Sequence, residues 1–477
     1  MNYENMSGNA TDGAVRALRI LENPRLLLNF DGNRSTLFNY AMASFMFFWR
    51  DPIWAPRVFA LIFGVFLVFP YYGTLKTLFD RRIAFFSSLV LVFCPLHVIQ
   101  SGTATADTAY FFFLFSAFYY FFQFKNGQEQ TSALWLSVFL FNMASLMRFE
   151  SWLFIPLFFI LLWPKGKGTA FQFLILSMVF PCVLLLLNQI KHHNFFLTFH
   201  AAARTASKEI EAGTVPYDPR VFSWLVVLWR SSGASLVIGG LSGIVLAFLM
   251  RQKRQLAIFF LILLTAFTIN SCAARMWHSE RYSIILALLL IPYAWFFVDM
   301  AVTFLAGRKA LFFLCFLIFP AVDIWQIVRQ PNSTIPFAVS LMDDHTNSVA
   351  QWLKTNVRKN ETLIIGSDHC DLHPNYIILR AGITPISRCL TVWTNAEHYF
   401  KNQEAFERYI WKRRTNYLVL NSKSYLQEIL NFDLNKKHQD LGDAAFELTF
   451  EANVPAFGKY LIYRISYRES SRSGGNA

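Results

Sequence analysis

Five places in the sequence set ionisable side chains against apolar runs, and each suits work on a charged substrate. Thr11-Asp12 opens an amphipathic stretch, Ala14 to Leu28, in which Val15, Leu18 and Leu21 recur at helical spacing. A carboxylate so placed is able to accept a hydroxyl proton as general base, although capping the helix is the plainer role. Asp107 closes the small polar run Ser101-Gly-Thr-Ala-Thr-Ala-Asp107 and leads straight into Thr108-Ala-Tyr-Phe-Phe-Phe. That puts a carboxylate at the mouth of an apolar helix, where capping and ligand binding compete as explanations. Met147-Arg148-Phe149-Glu150-Ser151-Trp152 pinches two opposite charges between apolar runs. Two apart, they point to different faces of a helical turn, so each is expected to meet a separate partner; mutual neutralisation is the alternative. Arg275-Met-Trp-His278-Ser-Glu-Arg281-Tyr282 crowds two guanidiniums and an imidazole at the start of another apolar run. That set suits a phosphate, against a competing role as snorkelling membrane anchors. Lys191-His192-His193 forms a second basic cluster.

Such residues need elements that hold them at a membrane. Of 477 residues, 55% are hydrophobic and only 15% charged, against about 25% charged in soluble domains. With 52 Phe, the apolar surface exceeds what one aqueous core hides, which excludes a disordered, fibrous or purely soluble protein. Ten apolar segments run near 57–78, 83–100, 108–125, 131–147, 150–164, 169–190, 233–250, 255–271, 281–304 and 309–327. Each approaches the roughly 20 residues that cross about 30 Å of hydrocarbon. Loops on one side carry Lys76, Arg81, Arg82, Lys125, Lys165, Lys167, Arg251, Lys253, Arg254, Arg308 and Lys309 against only Asp80 and Glu129. The positive-inside rule makes that side cytoplasmic, so every candidate above falls on the outer side.

Composition changes near residue 340. From Ser340 to Ala477 there are 17 basic and 15 acidic residues, about 23% charged, against about 12% in the preceding part. The expected organisation is an α-helical polytopic bundle with a C-terminal soluble α/β domain. Residues 1–55 form a first outer loop with amphipathic interfacial helices, 56–328 the membrane domain, and 340–477 the extracytoplasmic domain. Most of the formal charge of +13 then sits on membrane loops and makes no nucleic-acid face. No signal-peptide pattern precedes residue 55, and Thr36 to Trp49 reads as an interfacial helix unless it spans in place of a missing first helix. His192 to Trp229 reads as a mobile cover over the outer site, with an interfacial helix as the alternative. In the soluble part, a helix is expected at 347–357 and strands at 362–366, 376–379, 416–420 and 459–463. Asp368 to His373 packs possible metal ligands closely but lacks a second half-site, so no metal is assigned, and a divalent ion stays compatible without support. Cys370 and Cys389 are able to pair only if their geometry permits.

In these residues the chain resembles integral-membrane glycosyltransferases of the GT-C type, in the family 39-like group of protein mannosyltransferases and lipid A aminoarabinose transferases. The resemblance runs through Asp12-Gly-Ala-Val-Arg-Ala-Leu, Pro56-Arg57-Val-Phe-Ala-Leu-Ile-Phe-Gly64 and Leu78-Phe-Asp-Arg-Arg82. It continues through Cys94-Pro-Leu-His97, Asp107, Arg148-Phe-Glu150 and Glu280-Arg281-Tyr282. It rests on their order and spacing over residues 10–300 rather than on one motif. It implies a GT-C-like bundle of about ten spanning helices that moves a sugar from a polyprenyl-phosphate carrier to a glycan, lipid or protein acceptor, with inversion. The family's first-loop acidic residue is its usual catalytic carboxylate, and Asp12 is the matching position. This chain has Ala10-Thr11-Asp12-Gly13 where the family commonly carries paired acidic residues. Arg275, His278 and Arg281 would meet the departing phosphate, with Lys191, His192 and His193 as a second cluster. Asp107, Arg148, Glu150 and Tyr282 would complete substrate binding.

The residues agree with a lipid-linked donor independently. No G-x-x-x-x-G-K-[ST] or strand-borne G-x-G-x-x-G appears to hold a nucleotide, whereas a prenyl chain can lie against Phe-rich helices. The partners expected are membrane lipid, the lipid-linked donor and its acceptor, in a multi-pass protein of a plasma or inner membrane. The alternative classes are a glycosyltransferase-like scaffold without activity and a transporter, the latter lacking any inverted repeat.

Overall fold

Lipid offers no partner for a backbone N–H or C=O, so each long apolar run satisfies both within itself as a helix. The structure is a computed structural model that describes residues 8–23, 36–103, 105–127, 131–211, 217–218, 220–251, 253–276, 280–304, 344–366, 372–392, 400, 402–422, 424–454 and 458–468. The first helices are α1 (Gly8–Glu22), α2 (Thr36–Phe48), α3 (Trp54–Leu78), α4 (Arg81–Phe93) and α5 (Pro95–Gly102). Then come α6 (Asp107–Lys125), α7 (Thr131–Met147), a 3-10 turn over Phe149–Phe154, α8 (Ile155–Leu162), α9 (Lys167–Ser177) and α10 (Val179–His192). The series continues with α11 (Leu197–Glu211), α12 (Ser223–Ser232), α13 (Ala234–Leu249), α14 (Gln255–Cys272) and α15 (Glu280–Phe304). The chain divides into two compact units, Leu28–Ala41 with Arg57–Pro336, and Met1–Leu27 with Met42–Pro56 and Phe337–Ala477.

The chain is a multi-pass integral membrane protein. Among the described residues α3, the joined α9 and α10, α14 and α15 are long and apolar enough to cross a membrane. The pair α4 and α5 makes a fifth span if its 56° bend lies within one crossing. The expected segments at 131–147, 150–164 and 233–250 are also helical but shorter, the one at 108–125 is α6, which has 19 residues but lower hydropathy, and 309–327 lies outside the described residues. Lipid supplies little hydrophobic drive between helices, so polar bonds and close approach hold them. Tyr71 donates to Leu288 O at 2.8 Å, tying α3 to α15. Thr74 donates to Phe115 O at 2.9 Å, tying α3 to α6, and Ser137 to Ala117 O at 2.9 Å, tying α7 to α6. Gly239 and Gly243 form the small-xxx-small pair by which α13 meets α15: a Cβ on Gly243 would stand 2.0 Å from the Tyr293 carbonyl oxygen.

The stretch after α10, read as a cover, contains α11 and the start of α12 with a non-helical piece at Tyr217 and Asp218 between them, and is tied to the end of α14. Ser207 donates to Ala274 O at 2.8 Å, Tyr217 to Ser271 O at 3.0 Å and Trp224 Nε1 to Ser271 Oγ at 2.9 Å.

The other unit carries α16 (Asp344–Asn356), β1 (Leu363–Gly366), α17 (Leu372–Ala381), β2 (Cys389–Val392), α18 (Gln403–Arg413), β3 (Tyr417–Asn421), α19 (Tyr425–Leu430), β4 (His438–Leu441), β5 (Ala444–Val454) and β6 (Gly458–Tyr467). The sheet order is β2-β1-β3-β6-β5-β4, with β1 parallel to β2 and β3 and the remaining pairs antiparallel. Ile364, Leu418, Leu420, Phe406, Ile410, Phe446 and Tyr463 build its core. One strand expectation fails: 376–379 lies inside α17, because a four-residue apolar run bounded by polar residues fits a buried helix face as well as a strand. Helix α1 packs on α17 with Ala14, Val15 and Ala17 buried, and the Glu22 carboxylate accepts the backbone N–H groups of Ile386 and Ser387. Of the apolar face that its pattern assigned to the membrane interface, Val15 is buried while Leu18 and Leu21 are half-buried.

Candidate active site

Helix α6 starts at Asp107, and Thr108 fixes that start by donating to Ala60 O of α3 at 3.0 Å. The capping explanation for Asp107 fails, since the helix has no side-chain cap and the carboxylate takes two guanidiniums instead: Arg148 binds Oδ1 and Arg281 binds Oδ2. The Asp107 side chain is 0% exposed, against 12% for Arg148 and 22% for Arg281. Arg148 also grips Glu150 with two prongs, Nε to Oε2 at 3.1 Å and a guanidinium nitrogen to Oε1. The expectation that these two would look apart is thus corrected. Arg148 is extended, with φ −153° and ψ 139°, rather than helical, and an extended residue lets side chains two apart converge. Ser151 secures the turn by donating to Arg148 O at 2.9 Å.

Two tyrosines close the cluster. The Arg148 guanidinium carbon lies 5.2 Å from the Tyr282 ring centroid and 6.0 Å from that of Tyr110. Tyr110 is buried, and its hydroxyl has no hydrogen-bond partner among the described residues. Sequence reasoning misses it, because an uncharged aromatic in Tyr110-Phe-Phe-Phe reads as lipid-facing or core. The start of α15 is held by a Ser231 to Ser283 hydroxyl pair at 3.0 Å. Two carboxylates and two guanidiniums balance, so the group is neutral as it stands. Neutrality is what makes its burial tolerable, because an unpaired charge in such a place costs several kcal/mol.

The structure therefore gathers Asp107, Arg148, Glu150, Arg281 and Tyr282 from three separate stretches. It does not bring the rest of the candidates into that group. Arg275 is exposed just past α14, and His192 and His193 are exposed where α10 ends, His193 in the left-handed region at φ 52°. Lys191 belongs to α10 and Asp12 to the second turn of α1, but their side chains are outside the description, and His278 lies outside the described residues. Asp12 is the fifth residue of its helix, so it is not an N-cap. Among the described residues no group of His, Cys, Asp and Glu is arranged to hold a metal, and 368–371 lies outside them. Cys389 is buried and free, and Cys370 is outside the described residues.

Residues 33–189 match the model of a family described as dolichyl-phosphate-mannose-protein mannosyltransferase. A search of curated proteins finds no match in sequence. Among solved structures, ArnT from Cupriavidus metallidurans, apo and bound to undecaprenyl phosphate, superposes with a TM-score of 0.62 at 11% identity, over 100% of this chain and 96% of that one. The oligosaccharyltransferase of Archaeoglobus fulgidus, in a complex with zinc and sulfate, gives 0.58 at 13% identity, over 97% of this chain and 69% of that one. Its AglB complex with an inhibitory peptide and a dolichol-phosphate gives 0.56 at 12% identity, over 99% and 71%. What these likenesses share with the present chain is architecture: apolar helices followed by a C-terminal sheet domain, which is the GT-C fold.

Proposed function

We propose that the chain transfers a sugar from a polyprenyl-phosphate-linked donor to an acceptor at the extracytoplasmic face of the membrane. The observation that carries this reading is the Asp107 cluster: a sealed carboxylate that holds two guanidiniums at the start of an apolar helix in a GT-C fold. A carboxylate with no exposed surface reaches no substrate, so Asp107 acts by positioning, and Arg281, the more exposed of its two partners, is the group turned to the donor phosphate. Fixed cations stabilise charge that develops on a departing phosphate without reorganising at the moment of reaction. The resemblance of the N-terminal stretch assigns the base to Asp12. The acceptor oxygen attacks the anomeric carbon, its proton passes to the Asp12 carboxylate, and the bond from that carbon to the phosphate oxygen breaks with its electron pair. Polyprenyl phosphate departs, and one displacement inverts the centre. The solved structures with undecaprenyl phosphate and dolichol-phosphate support the donor class. The C-terminal unit lies on the same extracytoplasmic side.

The test is transfer from a labelled polyprenyl-phosphate sugar by the purified full chain, with a total membrane extract as acceptor source. Asp12→Asn is expected to lower the rate by about 10²–10⁴-fold, the usual worth of a general base. An unchanged rate removes Asp12 from the role, and no transfer by the intact chain favours the scaffold reading.

A further inference from the structure

A cavity of about 570 Å³ opens between α3 and α6, away from the Asp107 end. Its wall on α6 is Phe112, Ser116, Tyr119, Tyr120 and Gln123, and α3 contributes Phe69, Gly73 and Lys76. These positions recur at steps of three, four and seven, so each helix presents a single stripe to the cavity. Gly73 lets the Tyr119 ring lie against the α3 backbone, since a Cβ there would stand 2.7 Å from the ring. The wall on α6 runs from Phe112 to Gln123, five to 16 residues past Asp107 or about 8–24 Å at helical rise, and the cavity shares no lining residue with the cluster. Phe69 is 68% exposed, which opens the cavity toward lipid.

The same helix ends gather positive charge, with Asp80 just past α3 and Glu129 outside the described residues. Asn126 donates to Thr77 O at 3.3 Å, tying the end of α6 to that of α3 and bringing Lys76 and Lys125 to one level. Lys165 joins them, its ammonium 3.8 Å from where a Cβ on Gly127 would sit. None of these lysines has an ion pair among the described residues, whereas Arg82, also on a basic loop, is paired with Asp299 at 3.1 Å. The geometry points to a binding site for a glycerophospholipid with an anionic headgroup: phosphate at Lys76, acyl chain along the aromatic wall. A volume of this size suits a lipid-sized ligand, and basic pockets between spanning helices take anionic headgroups. The site is independent of the transferase reading.

Native mass spectrometry of the full chain in detergent, titrated with phosphatidylglycerol or phosphatidylcholine, tests it. The wild type is expected to retain phosphatidylglycerol at least about fivefold more tightly than phosphatidylcholine, and Lys76→Gln to lose about that factor. Ser116→Phe, which fills the cavity, should lower occupancy by phosphatidylglycerol. If that variant does not fold, Lys76→Gln, at an exposed position, carries the test alone. Equal retention of the two lipids by the wild type, or an unchanged preference in Lys76→Gln, overturns the proposal. So does competition by inorganic phosphate, which would mean a free-anion site, or displacement by polyprenyl phosphate, which would make the cavity part of the donor path.

Discussion

At the scale of residues, the account turns on a carboxylate that serves two cations. Asp107→Ala leaves Arg148 and Arg281 facing a void, and removing one partner of a buried ion pair costs about 3–5 kcal/mol. The loss should appear as a lower unfolding midpoint in SDS titration together with loss of transfer, whereas Arg275→Ala, at an exposed position, should leave the midpoint unchanged. Cys389 gives a second, independent test. Burial pushes its thiol up from 9.0 to about 12, so the folded unit favours the neutral form. The unfolded chain ionises first, so the stability that this thiol contributes is whole below pH 9 and is lost as the pH rises toward 12. At pH 8 a maleimide should leave Cys389 unmodified until denaturant is added; rapid native labelling would contradict its burial. Residue types at span mouths were legible in the sequence, and five of them meet. Their partnering was not, because it depends on the extended backbone at Arg148, which no periodicity reveals.

At the scale of elements, α3, α14 and α15 follow from length and hydropathy alone, since nothing but a helix satisfies a long apolar run in lipid. Short runs carry less information, as 376–379 shows by lying in α17. The contact of α13 with α15 makes a graded prediction. A Cβ on Gly243 would meet backbone at 2.0 Å, whereas one on Gly239 would touch the Ala294 Cβ at an ordinary 3.5 Å. Gly243→Ala should therefore destabilise by about 1–3 kcal/mol and Gly239→Ala by much less, measured by the same SDS titration. Equal effects would mean that the two helices are not apposed as described.

At the scale of the whole molecule, the proposed orientation rests on the charge bias of the loops, which would put the Asp107 end outside. A cysteine introduced at Gly102, exposed beside that end, should react with a membrane-impermeant maleimide added to intact cells. The central claim, that a lipid phosphate is the leaving group beside Arg281, is tested most directly by following the carrier itself. The purified chain, given a polyprenyl-phosphate sugar and acceptor, should release one polyprenyl phosphate per sugar transferred, and Arg281→Ala should slow both by about 10²–10³-fold. Transfer at the wild-type rate by Arg281→Ala, or sugar transfer without release of polyprenyl phosphate, would contradict the account.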